Sequence, residues 1–242
     1  MDKIEEFKKI ISQSNNIVFF GGAGVSTESN IPDFRGTTGL YNNNEEKYPA
    51  EYILSHDFFF ANVEYFYKFY FSKMIYPNAL PNDCHKVLAK MEALGKIKAV
   101  ITQNIDGLHQ KAGSKNVIEL HGSVMRNYCT KCHKFYDLEY MLKFKDSVPK
   151  CNVCGSIIKP DVVLYQEGLN SNDLERALYY VSSAETLIVG GTSLTVYPAA
   201  GLIRYFKGKN IILINENSTP LDDNFGMIIK EKVGKVFKEI DL

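Results

Sequence analysis

The chain has 242 residues, of which 45% are apolar and 23% are charged. Lys plus Arg and Asp plus Glu both total 28, so the formal net charge is zero. A chain of this size buries a sizeable core, and its composition excludes collagen-like, disordered and coiled-coil proteins. The balanced charge gives no electrostatic reason to bind nucleic acid or an acidic membrane without sequence preference.

Residues 1–16 predict a surface helix. Ile4, Phe7, Ile10 and Ile11 recur there at helical spacing among charged residues, without the apolar core of a signal peptide. The longest apolar stretches fall well short of the roughly 20 residues that span a bilayer. We therefore expect a soluble, cytoplasmic protein whose cysteines stay reduced.

Five short apolar runs predict buried strands, and segments with helical periodicity lie between several of them. This alternation predicts an α/β fold with a doubly wound, mostly parallel sheet. The predicted strands are Ile17–Phe20, Ala99–Thr102, Val117–Leu120, Thr186–Val189 and Ile211–Ile214. The predicted helices include Cys84–Leu94 after the N-cap Asn82, Asp173–Val181, Pro198–Phe206 and Glu231–Ile240.

The cysteines predict a metal site. Cys129 and Cys132 form one pair, Cys151 and Cys154 a second, and 18 residues separate the pairs. This spacing is typical of zinc bound by four thiolates, which leave no open position on the metal, so we expect a structural zinc. The fifth cysteine, Cys84, lies on an apolar helical stripe and is predicted to be a core residue.

Small or hydrogen-bonding residues follow each predicted strand, where ligands of open α/β sheets bind. Gly22–Gly24 lets backbone N–H groups approach a phosphate, helped by the dipole of a following helix. However, Thr27 replaces the third glycine of the dinucleotide fingerprint, and the later acidic residue is missing, so a plain tight turn stays an alternative. A second glycine-rich strand end, Gly190–Ser193, favours a nucleotide, with Asn215 or Glu216 near a ribose.

His121 is the best candidate for acid–base chemistry, because a strand end can direct its ring into the cleft and its ordinary pKa is about 6.5. A structural histidine is the alternative at this position. A hydrolase arrangement of His121, Ser123 and Asp106 is a weak alternative, since the Gly-x-Ser-x-Gly elbow is absent.

Together these motifs resemble those of the sirtuins (Sir2-like proteins), NAD-dependent protein deacylases, most closely of the bacterial type. The motifs occur in family order along nearly the whole chain. They are Gly22–Arg35 (GAGVSTESNIPDFR), Thr102–His109 (TQNIDGLH), His121-Gly122, both cysteine pairs, Gly191–Leu194 (GTSL) and Ile214-Asn215.

The resemblance implies one catalytic unit over residues 1–242, made of a large and a small domain. The large, Rossmann-like domain would comprise about 1–33, 83–122 and 159–242. The small domain would combine a helical insertion, about 34–82, with a zinc module, about 123–158. An aromatic stretch, Phe58–Phe71, is predicted to be a buried helix of the first insertion.

The resemblance also implies roles for individual residues. His121 would be the general base, and Asn104 would assist at the nicotinamide. The implied NAD contacts are Ala23, Thr27, Phe34, Arg35, Gln103, Ile105, Asp106, Thr192, Ser193, Asn215, Lys232 and Val233. An extended acyl-lysine peptide would pair with a strand formed by Val162, Val163 and Tyr165, and would contact Val196.

The implied reaction consumes NAD as a co-substrate. The acyl oxygen of acetyl-lysine attacks the ribose C1′ as nicotinamide leaves, and His121 then helps to deprotonate a ribose hydroxyl. The products are free lysine, nicotinamide and 2′-O-acyl-ADP-ribose. The expected partners are therefore acyl-lysine proteins, with no membrane or nucleic acid, and we expect a monomer.

Two departures from the family pattern and two alternatives stay open. Asn30 stands where the family has glycine, and Tyr165-Gln166-Glu167 replaces Phe-Gly-Glu, which leaves the acyl tunnel undefined. ADP-ribosyl transfer is the alternative activity. A non-catalytic nucleic-acid-binding zinc protein is the alternative class, because the zinc module carries lysines. The lysines are Lys131, Lys134, Lys143, Lys145 and Lys150. The same module also carries the acidic residues Asp137, Glu139 and Asp146, which disfavour this alternative.

Overall fold

The apolar runs of the sequence form the middle of a parallel sheet. The computed structural model describes residues 2–34, 36, 39 and 46–240. Among them, six parallel strands lie in the order β3-β2-β1-β7-β8-β9. Three further strands form an antiparallel sheet in the order β5-β4-β6. The strands are β1 Ile17–Gly21, β2 Ile97–Thr102, β3 Val117–Glu119, β4 Gly122–Cys129, β5 Phe135–Asp137, β6 Ile158–Val162, β7 Thr186–Gly190, β8 Asn210–Ile214 and β9 Met227–Ile229.

Helices cover both faces of the six-stranded sheet, which makes it doubly wound. Ile17 and Phe19 of β1 point into one hydrophobic cluster, and Val18 and Phe20 point into the other. Helices α1, α5 and α9 pack on the first face, and α8 packs on the second. The α-helices are α1 Lys3–Gln13, α2 Ala50–Ile53, α3 His56–Ala61, α4 Val63–Lys73, α5 Asp83–Ala93, α6 Leu108–Ala112, α7 Leu138–Leu142, α8 Ser171–Ser183 and α9 Val233–Lys238.

The predicted fold class is confirmed, but several elements differ from the prediction. The sheet has a sixth strand, β9, which the sequence analysis missed. Pro198–Phe206 contains a 3₁₀ helix, Ala199–Tyr205, rather than an α-helix, and Gly201 in its middle disfavours the α form. The last helix begins at Val233 rather than Glu231, because the backbone of Lys232 is extended.

The two predicted insertions share one hydrophobic cluster. Phe59, Phe66 and Tyr67 come from the helical stretch, and Met141 and Ile158 come from the cysteine-containing stretch. The aromatic segment is two helices rather than one, because the chain leaves helical geometry at Asn62, between α3 and α4. The domain boundaries themselves stay a prediction.

No helix within 2–34 and 46–240 has both the length and the apolar character needed to cross a bilayer.

A pair of histidines is buried where helices α5 and α6 meet. The rings of His85 and His109 lie 4.6 Å apart, and both residues are inaccessible to solvent. Neither ring nitrogen of His109 has a hydrogen-bond partner among the described residues. Burial, with a smaller effect of Lys86, lowers the pKa of His85 to about 4. Burial, with a smaller effect of His85, lowers the pKa of His109 well below its usual value.

This pair should make the fold sensitive to acid. In the unfolded chain both histidines titrate near pH 6.5, whereas both stay neutral in the folded protein. Below pH 6.5 the unfolded state therefore binds more protons, and stability is lost as the pH falls. For one fully neutral histidine the loss by pH 5 is about 2 kcal/mol.

We expect His109→Leu to reduce the difference in unfolding free energy between pH 7 and pH 5 by about 2 kcal/mol. Urea denaturation at the two pH values measures it. Protonation of the four clustered cysteines also lowers stability in acid. This contribution is the same in variant and wild type, so it cancels when the two are compared at each pH. An unchanged pH dependence in His109→Leu would contradict the prediction.

Candidate active site and zinc centre

One large cavity, of about 1140 Å³, lies between the carboxyl edge of the parallel sheet and the three-stranded sheet. Every predicted catalytic, cofactor and peptide residue that the structure describes lines it. Arg35 is the exception, because it lies outside the described residues. The lining residues include Ala23, Thr27, Phe34, Gln103, Asn104, Ile105, Asp106, His121, Val162, Val163, Tyr165, Thr192, Ser193, Val196, Asn215, Lys232 and Val233.

Two glycine-rich strand ends pack backbone against backbone at the floor of this cavity. The N–H of Gly24 donates to the carbonyl of Gly191 at 2.8 Å. A Cβ on Gly24 would lie 2.7 Å from the Gly191 Cα, and a Cβ on Gly191 would lie 2.4 Å from the Val25 nitrogen. Only glycine fits this contact, which brings the ends of β1 and β7 together.

Short 3₁₀ turns, not an α-helix, follow β1, so the expected helix dipole after Gly24 is wrong. The turns span Ala23–Val25 and Thr27–Ser29. We call residues 22–29 the cofactor turn. Asn30 follows this turn, and its φ of 61° is left-handed. Asparagine thus takes the conformation that the family's glycine would supply, as expected.

A network of side-chain hydrogen bonds connects the cofactor turn to the loop after β2. Ser26 Oγ donates to Asp106 Oδ2 at 2.6 Å, and Asn104 Nδ2 donates to Ser26 Oγ at 3.1 Å. Burial raises the pKa of Asp106. Ser26 stands inside the first motif, but no local pattern predicts its role, because its partners are about 80 residues away in the chain.

A second contact joins the loop after β2 to the end of β7. Gln103 Nε2 donates to Thr192 Oγ1 at 3.1 Å. Three separate strand ends are therefore connected through side chains, which fixes the shape of the cavity wall.

His121 stands between β3 and β4 with one ring nitrogen engaged. Its Nδ1 lies 2.9 Å from the carbonyl oxygen of Gln103. A carbonyl oxygen only accepts, so Nδ1 carries the hydrogen and Nε2 keeps its lone pair in the neutral ring. Burial lowers the pKa of His121, which keeps the ring neutral at pH 7.

The chain reversal after His121 requires glycine. Gly122 has a φ of 76°, and a Cβ there would lie 1.9 Å from the carbonyl oxygen of Asp161. Gly122 pairs with Val162 of β6, and the N–H of Val163 donates to the carbonyl of His121. The predicted base and the predicted peptide-pairing segment are therefore neighbours.

The four cysteines of the two pairs converge at the far end of the three-stranded sheet. Their Sγ atoms all lie within 4.8 Å of one another. Cys129 and Cys154 are 3.4 Å apart, and Cys132 and Cys151 are 3.5 Å apart. Zinc bound at about 2.3 Å places its sulfurs about 3.8 Å apart, so the cluster fits one structural zinc ion.

Hydrogen-bond donors surround these sulfurs, as a thiolate cluster requires. The N–H groups of Lys131 and Cys132 donate to Cys129 Sγ at 3.4 Å, and the Tyr136 hydroxyl donates to Cys151 Sγ at 3.0 Å. Tyr136 was not singled out by the sequence analysis. Such donors orient the ligands and stabilise the negative charge on sulfur.

The comparisons with known proteins agree with this geometry. Residues 22–198 match the sequence model of the Sir2 family. The chain belongs to the Sir2 family. An NAD-dependent protein deacetylase of Clostridium acetobutylicum is 58% identical over 241 residues, covering 99% of this chain and 98% of that protein. One from Clostridium perfringens has the same identity and coverage.

Solved Sir2 structures have the same fold. A Sir2 complex with a deacetylated p53 peptide and 3′-O-acetyl-ADP-ribose is 41% identical, with a TM-score of 0.88, covering 97% of this chain and 96% of that one. A Sir2 complex with p53 peptide and NAD⁺ is 41% identical, with a TM-score of 0.85, covering 97% and 95%.

In this Sir2 protein, the departure at Tyr165-Gln166 leaves the turn intact. The N–H of Glu167 donates to the carbonyl of Leu164, and Gln166, third in the turn, has a φ of 75°. Glycine or asparagine usually takes that position. The Gln166 amide compensates through two hydrogen bonds to Asp57, one from the Asp57 N–H at 3.1 Å and one to its carboxylate at 3.0 Å.

Proposed function

We propose that this Sir2 protein removes acetyl groups from lysine side chains of proteins and consumes NAD in doing so. The observation that carries the proposal is His121. Its Nδ1 is bound to a main-chain carbonyl, its Nε2 can accept a proton, and it lines the cavity that collects the family's cofactor and peptide motifs. The deacetylase names of relatives at 58% identity support it.

The cavity fits NAD in its chemistry. Gly22, Gly24 and Gly191 line the cavity without side chains, which leaves room for a diphosphate beside the ends of β1 and β7. When bound, NAD supplies an electrophilic ribose carbon that takes up the acyl oxygen, with nicotinamide as the leaving group. We assign Ala23, Thr27, Phe34 and Arg35 to the diphosphate and nicotinamide, Gln103 to the nicotinamide ribose, Asn104, Ile105 and Asp106 to the nicotinamide pocket, and Thr192, Ser193, Asn215, Lys232 and Val233 to the adenosine half.

His121 would move the proton in this reaction. Its free Nε2 would accept the proton of the ribose hydroxyl that receives the acyl group, so the residue would act as the general base. The Gln103 carbonyl then stabilises the imidazolium through the Nδ1 hydrogen. Val162, Val163, Tyr165 and Val196 would align the peptide by main-chain pairing, which tolerates many sequences.

Product analysis tests the proposed function directly. The protein is incubated with NAD and an acetyl-lysine peptide, and the products are identified by mass spectrometry. Nicotinamide, deacetylated peptide and O-acetyl-ADP-ribose in equal amounts support the proposal. ADP-ribose attached to protein would instead support the transferase alternative, and release of acetate without NAD would support a hydrolase.

We also propose that the protein is a cytoplasmic monomer without a nucleic-acid partner. The zero net charge supports the last point, because non-specific binding to nucleic acid needs an excess of basic residues. Analytical ultracentrifugation tests the oligomeric state. DNA binding measured at low and physiological salt tests the non-catalytic alternative.

We predict a preference for neutral over acidic acyl groups. No arginine occurs between Arg35 and Arg126 to form a bidentate pair with an acyl carboxylate. Tyr52 packs against the ring of Phe58, and the Ser55 hydroxyl donates to the carbonyl of Tyr52. An acidic acyl group would therefore find no bidentate arginine partner in this segment, at a cost of about tenfold or more in kcat/KM.

The measurement compares kcat/KM for acetyl- and succinyl-lysine in one peptide. Lys73 lines the cavity, so Lys73→Met is the matched variant. A better rate with succinyl than with acetyl would overturn the prediction, and loss of that rate in Lys73→Met would identify the cation responsible.

A further inference from the structure

The cofactor turn, residues 22–29, is hydrogen-bonded to Asn82, the N-cap residue of α5. Asn82 Nδ2 donates to the Val25 carbonyl at 2.7 Å and to Ser29 Oγ at 3.0 Å. Its Oδ1 accepts from the N–H of Cys84 at 3.0 Å and so caps α5. Asn82 thus uses its donors on the cofactor turn and its acceptor on α5, where His85 Nδ1 also lies 3.0 Å from Oδ1.

Few other residues can do both tasks. Aspartate and serine cap helices about as well as asparagine, but a carboxylate cannot donate to a carbonyl, and a hydroxyl has one hydrogen instead of two. If capping were the only requirement, these residues would serve equally well. The contact to the cofactor turn needs the amide.

A second contact holds the same turn from another direction. Glu28 Oε2 accepts from the N–H of Gly234, in the first turn of α9, at 2.6 Å. Helix α9 has no side-chain cap from its own N-cap residue, Lys232. Lys232 and Val233 line the large cavity. Glu28 therefore connects the cofactor turn to the opposite end of the proposed cofactor site.

Neither Asn82 nor Glu28 belongs to the lining of the large cavity. Both line a smaller one, of about 690 Å³, together with Ser29 and Asn30. Both side chains therefore lie outside the lining of the proposed NAD site.

We propose that Asn82 and Glu28 are positioning residues for NAD, which hold the cofactor turn in its binding conformation without touching the ligand. This inference rests on the proposed function. A turn that is already ordered loses less conformational entropy when the ligand binds, so the contacts raise affinity for NAD. They should leave the chemical step and the peptide site unaffected.

The first test separates capping from positioning. Asn82→Asp and Asn82→Ser keep the N-cap and remove both or one of the donors. We expect the Kd for NAD, measured by calorimetry, and the KM for NAD to rise about tenfold in Asn82→Asp. Its kcat and its KM for peptide should stay within about twofold of wild type.

Asn170→Asp is the matched control. Asn170 caps α8 by accepting from the N–H of Asp173 and does not line the large cavity. It measures what the same substitution costs at an ordinary N-cap. The two variants should have similar Tm values, while only Asn82→Asp loses affinity for NAD.

The second test disrupts the Glu28 contact by changing its partner, Gly234. A Cβ on Gly234 would lie 2.5 Å from Glu28 Oε2, the end of a flexible side chain, so Gly234→Ala displaces the carboxylate while alanine favours the helix. We expect weaker NAD binding without lower Tm. Glu28→Gln keeps an acceptor oxygen and should bind NAD nearly as wild type does.

The outcomes distinguish the two proposals. If the wild-type protein neither binds NAD nor deacetylates the peptide, the proposed function fails. If it does both, and Asn82→Asp and Gly234→Ala bind NAD within about twofold of wild type, the positioning inference is wrong. An equal rise in the KM for peptide would also overturn it, because that result indicates general loosening of the fold.

Discussion

Replacing His121 by alanine should lower kcat for deacetylation by about 10²–10⁴-fold. The variant removes the imidazole whose Nδ1 binds the Gln103 carbonyl and whose main chain pairs with the proposed peptide segment. His121 lies at a strand end and its side chain contributes one hydrogen bond to the fold, so Tm, zinc content and binding of NAD should change little.

His133→Asn is the matched control for this experiment. His133 is exposed and has a φ of 57°, a conformation that asparagine accepts. It should keep wild-type turnover. Deacetylation by His121→Ala at a rate close to wild type would show that another group takes the proton, and the assignment of the base would be wrong.

The sequence predicts those parts of the site in which the type of a residue directly indicates its physical role. Buried strands appear as apolar runs, and the residues that follow them meet at one edge because the strands are parallel. Four cysteines in two close pairs indicate zinc from their ligand chemistry. His121 was predicted in this way, the family resemblance added Gln103 and Thr192, and the structure brings all three to one cavity.

Contacts between distant segments could not be predicted. The hydrogen bonds of Ser26 with Asn104 and Asp106 depend on two loops about 80 residues apart, and no local pattern records them. Strand β9 has three residues at the sheet edge and is only partly buried. A segment of three residues is too short to show the alternating pattern that distinguishes a strand from a loop.

Backbone conformation explains the remaining differences. Asn62 interrupts an apolar aromatic segment whose composition alone predicts one helix. Gln166 takes a left-handed conformation that its residue type disfavours, and the compensation comes from Asp57, over 100 residues earlier. A departure from a family motif can therefore keep the geometry of that motif.

Replacing Cys151 by serine should have the largest effect on stability. The four cysteines connect the end of β4 to the segment that precedes β6, and Cys129 and Cys151 are buried in the hydrophobic cluster that the two insertions share. Structural zinc contributes about 10–16 kcal/mol of binding free energy in zinc-finger peptides, and this free energy is available only to the folded state. Losing one thiolate should remove a large part of it.

We expect Cys151→Ser to lose zinc, measured by atomic absorption, and to have a markedly lower Tm, and a chelator should do the same to the wild type. Turnover should fall only as the three-stranded sheet loosens, because four sulfur ligands leave no position on zinc for substrate. Cys84→Ala is the control, since Cys84 is buried on α5 and outside the cysteine cluster, so zinc content should be unchanged. A Cys151→Ser protein that lost zinc yet kept its Tm and turnover would show that zinc does not support the fold. Loss of turnover at an unchanged Tm would instead indicate that zinc acts at the reaction itself.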